Sequence, residues 1–168
     1  MHMTEPDTKT WPLSDAIETF LAEPHIATLT TFRPDNTPHV VPVSFSWDSE
    51  ARLARIMVGI ESRKARNLIA MPGSRVALCQ AEGGRWVTLE GTATISEDPQ
   101  RVAEGRQRYI NRYRRQRGQQ EDNRVGGPAR GRAPGTREGP GPQRQRDPLD
   151  SWQAVIEIAV DRVMSRRV

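Results

Sequence analysis

The alternation of apolar and polar positions divides the chain into short elements with clear punctuation between them. Ile17, Phe20 and Leu21 recur at helical spacing within Asp15 to Ala22, where Ser14 is placed to cap the helix and Pro24 to stop it. Ile26 to Phe32 reads as a strand and Arg33 to Thr37 as a turn. His39 to Trp47 then reads as a second strand, with His39, Val41, Val43, Phe45 and Trp47 on one face and Val40, Pro42, Ser44 and Ser46 on the other. Pro42 cannot donate to a ladder, which predicts a sheet edge or an irregularity at that point, where a ligand can approach the backbone. Leu53 to Ile60 forms a third strand. Ser62 to Met71 forms a short helix capped by Ser62, with Ala65, Leu68 and Ile69 on its inner face and Pro72-Gly73 as its stop. Arg75 to Ala81 and Trp86 to Ile95 alternate as strands around Glu82-Gly83-Gly84, whose glycines supply the positive φ of a tight hairpin. Asp98 as cap and Pro99 as first helical residue open another helix, with Val102, Tyr109, Ile110 and Tyr113 near one face.

The pattern stops at Gly118. From there to Pro148 the chain holds seven Gly, five Pro and six Arg, with Val125, Ala129 and Ala133 as its apolar residues. So little apolar surface does not offset the entropy of ordering, so the segment is expected to be disordered. A β-rich run from Trp152 to Met164 follows, with Ile156, Ile158 and Val160 on one face, which makes the insert a long loop before a final strand. The expected organisation is a disordered N-terminus over residues 1–12, one domain over 13–117, a low-complexity insert over 118–148, and the last strand with a short C-terminus over 149–168. About six antiparallel strands with few helices predict a mainly β fold, a small closed or nearly closed barrel with peripheral helices. Side chains fill the interior of such a barrel, so a cofactor sits outside it, in an open site that a second subunit completes.

Charge changes this picture less than its total implies. The 168 residues carry a formal charge of +4, but Arg101 to Pro148 alone carries +8 and the rest −4. Non-specific nucleic-acid binding through the Arg-rich region is therefore an alternative, although Tyr109 and Tyr113 are its only interleaved aromatics and no nucleic-acid-binding motif accompanies it. No run approaches the roughly 18 apolar residues of a membrane-spanning helix, and the N-terminus has no signal-peptide core, so a cytoplasmic protein without membrane contact is expected. The single cysteine, Cys79, rules out an intramolecular disulfide and reads as a structural thiol. His2, His25 and His39 form no metal-site spacing, and no Gly-x-Ser-x-Gly or His-Glu-x-x-His pattern is present, so neither a metal site nor a catalytic residue is identified.

The most informative segment is Gly59 to Leu68, a strand running into a helix whose first turn holds Arg63, Lys64 and Arg66. Cations at a helix start oppose its dipole, and an anion reverses the sign of that effect. Free N–H groups, the Ser62 hydroxyl and the Arg63 and Lys64 side chains have the chemistry to converge on a phosphate; the alternative is an exposed basic turn.

Taken together, the strand Ile26 to Phe32, the run Pro38-His39-Val40-Val41-Pro42-Val43, the turn Ser62 to Leu68 and the strand Arg85 to Gly91 resemble the pyridoxamine-phosphate-oxidase-like split β-barrel flavoproteins, and within them the F420-dependent, biliverdin-reductase-like branch. The resemblance covers Leu13 to Arg115 and resumes at Val155 to Met164. It implies a homodimer with the cofactor at the subunit interface, and a hydride transferred from reduced coenzyme F420 to a conjugated planar small molecule such as biliverdin. FMN in the same fold is the alternative. By the same resemblance His39, Val40, Val41, Pro42 and Val43 line the deazaflavin ring, Ser62, Arg63, Lys64 and Asn67 match the phosphate-binding turn, and Trp86 matches an aromatic position near the site. The insert departs from the family pattern.

Overall fold

The computed structural model describes residues 11–122 and 151–168; the expectations for residues 1–10 and 123–150 lie outside the described residues. The elements are α1 (Asp15–Ala22), β1 (Ala27–Phe32), β2 (Pro38–Val43), β3 (Ser46–Asp48), β4 (Leu53–Val58), α2 (Arg63–Ala70), β5 (Arg75–Glu82), β6 (Arg85–Ser96), α3 (Pro99–Asp122) and β7 (Ala154–Arg166). The strands form one antiparallel sheet in the order β2-β1-β5-β6-β7-β4-β3.

That order decides the architecture. β2 and β3 are opposite edges of the sheet, yet only Ser44 and Phe45 connect them. Three consecutive Cα–Cα steps span no more than about 11 Å. The sheet must therefore curl until its edges adjoin, but no ladder joins them among the described residues, so the barrel is split rather than closed.

The strand count is seven, not six, because the run from His39 to Trp47 breaks at Ser44-Phe45. The break also resets the facing of residues. Ser46 and Asp48 are buried and Trp47 only partly so, the reverse of an uninterrupted alternation. Pro42 lies on an edge strand, as its missing donor requires.

The interior is filled by Leu29, Ile56, Leu78, Val87, Leu89, Ile156, Ile158 and Val163, to which α1 adds Ile17, Phe20 and Leu21. Burying each of the larger side chains contributes about 1.5–3 kcal/mol. Trp11, expected within a disordered N-terminus, instead stacks on Trp47 with ring centroids 5.9 Å apart and packs against the core. β6 and β7 pair along most of their length, with a register shift at Glu90/Gly91. A Cβ at Gly91 would lie 2.0 Å from the Ala159 carbonyl oxygen, so glycine is required there. Gly105 serves α3 similarly: a Cβ would lie 2.8 Å from the Met57 sulfur, and its absence lets the helix settle on β4 and β7.

The helix caps follow the sequence. Ser14 Oγ accepts from the Ile17 N–H and Ser62 Oγ from the Ala65 N–H, both at 3.4 Å. Asp98 Oδ1 accepts from the N–H groups of Gln100 and Arg101 at 3.1 and 3.0 Å. Asp98→Ala is expected to cost about 1 kcal/mol, read as a lower urea midpoint at unchanged slope. α3 continues to Asp122, so residues 118–122, expected to open the disordered insert, are instead the end of this helix. In α2 the inner face carries Ala65, Asn67 and Leu68, while Ile69 is exposed. Asn67 takes the inward position because its amide donates to the hydroxyl of buried Thr31 at 2.9 Å, which satisfies both groups.

α3 is tied to the barrel by charge. Arg55 on β4 is buried and donates to Asp48 on β3 (2.8 Å) and to Glu157 on β7 (3.2 Å). From α3, Arg108 reaches Asp48 at 2.8 Å, Arg101 reaches Glu157 at 3.2 Å, and Glu104 lies 3.3 Å from Arg55. Arg101, Glu104 and Arg108 share one helix face, and the six groups are three cations and three anions. The described residues contain no group of three or more His, Cys, Asp or Glu positioned to hold a metal, and no helix long and apolar enough to cross a membrane.

Candidate cofactor groove

Where the sheet edges approach each other without pairing, a groove of about 200 Å³ opens between the end of β2, β4, the start of α2 and α3. Its lining is Pro42, Val43, Ser44, Ile56, Met57, Lys64, Tyr109 and Trp152. An antiparallel ladder accommodates proline only where its nitrogen points away from the partner strand, so the alternate residue Val40 also turns its backbone N–H and C=O to the open side of β2. An edge strand thus offers main-chain hydrogen-bonding groups beside an apolar wall. Tyr109 supports that wall, packed edge-on against Trp152 at 4.6 Å and against Tyr113 at 4.6 Å.

Lys64 gives the groove its charge. It is partly buried, its ammonium has no acceptor among the described residues, and burial lowers its pKa from the ordinary lysine value. Arg63 beside it is exposed and equally without an ion pair, whereas Arg66 is neutralised by Glu61 at 3.0 Å. The expected cluster at the helix start is therefore two unpaired cations. Ser62 contributes its oxygen to the helix cap, which leaves its hydroxyl proton to donate elsewhere.

His39, on β2, belongs to the same cluster. Its Nδ1 is buried without a hydrogen bond among the described residues, and burial followed by the charges of Arg33, Arg63 and Lys64 holds its pKa below the ordinary imidazole value. A lowered histidine pKa means that folding favours the neutral ring, so stability rises with pH through the interval up to about 6.5 and falls on acidification below it. An anion seated among these cations reverses the local potential. His39 is therefore expected to titrate at higher pH when inorganic phosphate is bound than when it is absent. The His39 imidazole proton resonance followed against pH checks this; an unmoved midpoint places the anion elsewhere.

The structure brings Pro42, Val43 and Lys64 into the groove, with Ser62, Arg63 and His39 near its charged end and Val40 and Val41 along the same strand. It does not bring the other two together with them in one chain. The Asn67 amide is engaged with Thr31, and Trp86 lies on β6 opposite Ala81 and Arg166, three strands from β2. Sequence reasoning missed Ser44, Ile56, Met57 and Trp152 as lining residues and took Tyr109 as packing alone. Trp152 had a signal, an aromatic residue between a polar segment and the last strand.

The chain matches the pyridoxamine 5'-phosphate oxidase family over residues 13–132. It is 43% identical over 102 residues to the F420H2-dependent biliverdin reductase of Mycobacterium tuberculosis, a match covering 61% of this chain and 73% of that protein. Among solved structures, a conserved hypothetical protein from Mycobacterium tuberculosis superimposes with a TM-score of 0.61 at 23% identity, covering 91% of this chain and 84% of that one. An F420 reductase superimposes with a TM-score of 0.56 at 22% identity, covering 93% and 100%. These two likenesses establish the fold, and the sequence matches establish the kinship. With its split barrel and the groove at its open seam, the chain belongs to the pyridoxamine 5'-phosphate oxidase family.

Proposed function

We propose that the protein is an F420H2-dependent reductase that delivers a hydride to a conjugated planar substrate, with biliverdin as the leading candidate. The observation that carries this reading is Lys64: a partly buried ammonium without an acceptor among the described residues, at a helix start, beside an edge strand and an apolar wall. Phosphate-bearing, flat cofactors match that combination, and the 43% identical relative is named for F420H2. In this reading Lys64, Arg63 and the Ser62 hydroxyl hold the phosphate, the backbone of β2 from His39 to Val43 meets the ring, and Ile56, Met57, Tyr109 and Trp152 keep water from it. The reduced deazaflavin supplies the hydride, so no protein nucleophile is needed.

The same reading makes the protein a homodimer. A groove of about 200 Å³ is smaller than the roughly 300–1,000 Å³ of ligand pockets, which supports its completion by a second copy. The outer face of the sheet supplies a surface for that copy. Strand alternation places Val40, Phe32, Ala77, Cys79, Trp86 and Met164 there, none of them buried, with Val40 60% and Phe32 39% exposed. Trp86 then reaches a cofactor site only across such an interface.

Mixing the protein with F420H2 and biliverdin tests the reaction. Reoxidation of the cofactor that depends on both protein and biliverdin is expected; no reoxidation above the protein-free rate would exclude this substrate. FMN also carries a phosphate, so tighter binding of FMN than of F420 would instead favour a flavin enzyme of the same fold.

A further inference from the structure

A second and larger cavity, of about 700 Å³, lies between α1, β3 and α3 and shares no lining residue with the groove. We propose that it is a binding site for a small, flat carboxylate, distinct from the cofactor groove. Its apolar surface comes from Leu21, Ala22 and the indole of Trp47, which is held from behind by Trp11. Its volume falls within the roughly 300–1,000 Å³ range of small-molecule sites.

The polar lining is poised for an anion. Arg112 is a largely buried guanidinium whose acceptors are all neutral: the carbonyl oxygens of Phe45 and Glu23, and Gln80 Oε1 at 2.8 Å. Its Nε is buried without a hydrogen bond, and burial lowers its pKa from the ordinary arginine value. A guanidinium in that position is desolvated but not neutralised, a costly state that a carboxylate relieves. Arg114 lines the same cavity and has no acceptor among the described residues. Ser46, only 5% exposed, lines it too and its hydroxyl makes no hydrogen bond.

The other charges of the lining are already committed. Arg108 is neutralised by Asp48 and Glu104. Glu18 accepts from Trp47 Nε1 at 2.8 Å and from Ser49 Oγ at 2.7 Å, and it forms no ion pair with any of the three arginines. Among the described residues, two cations without a carboxylate partner and a hydroxyl without a hydrogen bond therefore share this lining with an apolar wall, and an aromatic carboxylate is the simplest molecule that uses all of them.

Titration of the full chain with benzoate, followed by ligand-observed NMR with benzyl alcohol as the uncharged control, tests the assignment. Saturable benzoate binding is expected, with benzyl alcohol at least about tenfold weaker. Ser46→Ala should weaken benzoate about fivefold and Arg114→Ala about tenfold, while Lys64→Ala, in the other site, should leave benzoate affinity unchanged. Among the described residues the Ser46 and Arg114 side chains make no hydrogen bond or ion pair, so their substitutions are expected to leave the fold intact, as a thermal melt of each variant checks. Absence of saturable binding, equal affinity for benzyl alcohol, full affinity in both the Ser46 and Arg114 variants, or loss of binding in Lys64→Ala would each overturn the proposal. The F420 reading can fail without affecting any of these outcomes.

Discussion

Lys64→Glu is expected to remove F420 binding at concentrations that saturate the unaltered protein, and to leave the fold as stable as before or slightly more so. The two effects have opposite signs for one reason. Among the described residues Lys64 has no ion-pair partner, and it opposes the dipole of α2 and adds to the positive field around His39. Glutamate in the first turn of that helix reverses the dipole effect, a gain of a few tenths of a kcal/mol. For binding, the same change deletes a charge-assisted hydrogen bond of about 1.5–3 kcal/mol and adds like-charge repulsion against the phosphate. A loss of at least about 3 kcal/mol follows, more than a hundredfold in affinity. Fluorescence titration with F420 and a thermal melt on the same sample check both halves. A drop in stability together with lost binding would instead make Lys64 a structural residue.

Arg55→Leu is the largest stability loss expected, about 3–5 kcal/mol, because it strands charges that are already out of water. Asp48 is 8% and Glu157 4% exposed, and each keeps only one arginine, from α3, once Arg55 is gone. The wild-type acid response comes from the same cluster. Burial by itself would raise the Asp48 pKa, but Arg55, the Ala51 N–H and Arg108 outweigh burial and hold it below the ordinary carboxylate value. A depressed carboxylate contributes stability that is present above about pH 4 and is lost as pH falls through the folded-state pKa. Urea melts at neutral pH and below pH 4 check this. The variant should lose most at neutral pH, and the gap between the two proteins should narrow in acid; a uniform small loss would show that the pair merely fills space.

That cluster also explains how far the sequence could be read. Arg101 and Arg108 count toward the +8 of the Arg-rich region, but in the structure they face Glu157 and Asp48, which belong to the acidic remainder. A small part of the apparent charge segregation is therefore two sides of one ion network, and the spacing of Arg101, Glu104 and Arg108 along a helix face was its legible trace. Arg112 was not legible in this way, because two of its acceptors are backbone carbonyls, which no residue type announces, and the third is the neutral side chain of Gln80, distant in sequence. The elements themselves were mostly readable, since Ser14, Ser62, Asp98 and Gly83-Gly84 mark boundaries through local chemistry. The break at Ser44-Phe45 was hidden, because the apolar alternation runs on through Phe45 while the sheet changes edge there. The site divides similarly. Lys64 and Pro42 could be picked out by being wrong for a plain helix start and a plain strand. Met57 and Trp152 join the groove only through the curl of the sheet, a long-range consequence of topology.

The most direct test of the central claim is a fluorescence titration of F420 into the purified full chain, with FMN titrated in parallel and inorganic phosphate as competitor. Saturable binding of one F420 per chain, weakened by phosphate and tighter than FMN, is the result expected of a phosphate-holding groove for a deazaflavin. No saturable F420 binding, or F420 binding indifferent to phosphate, would contradict it.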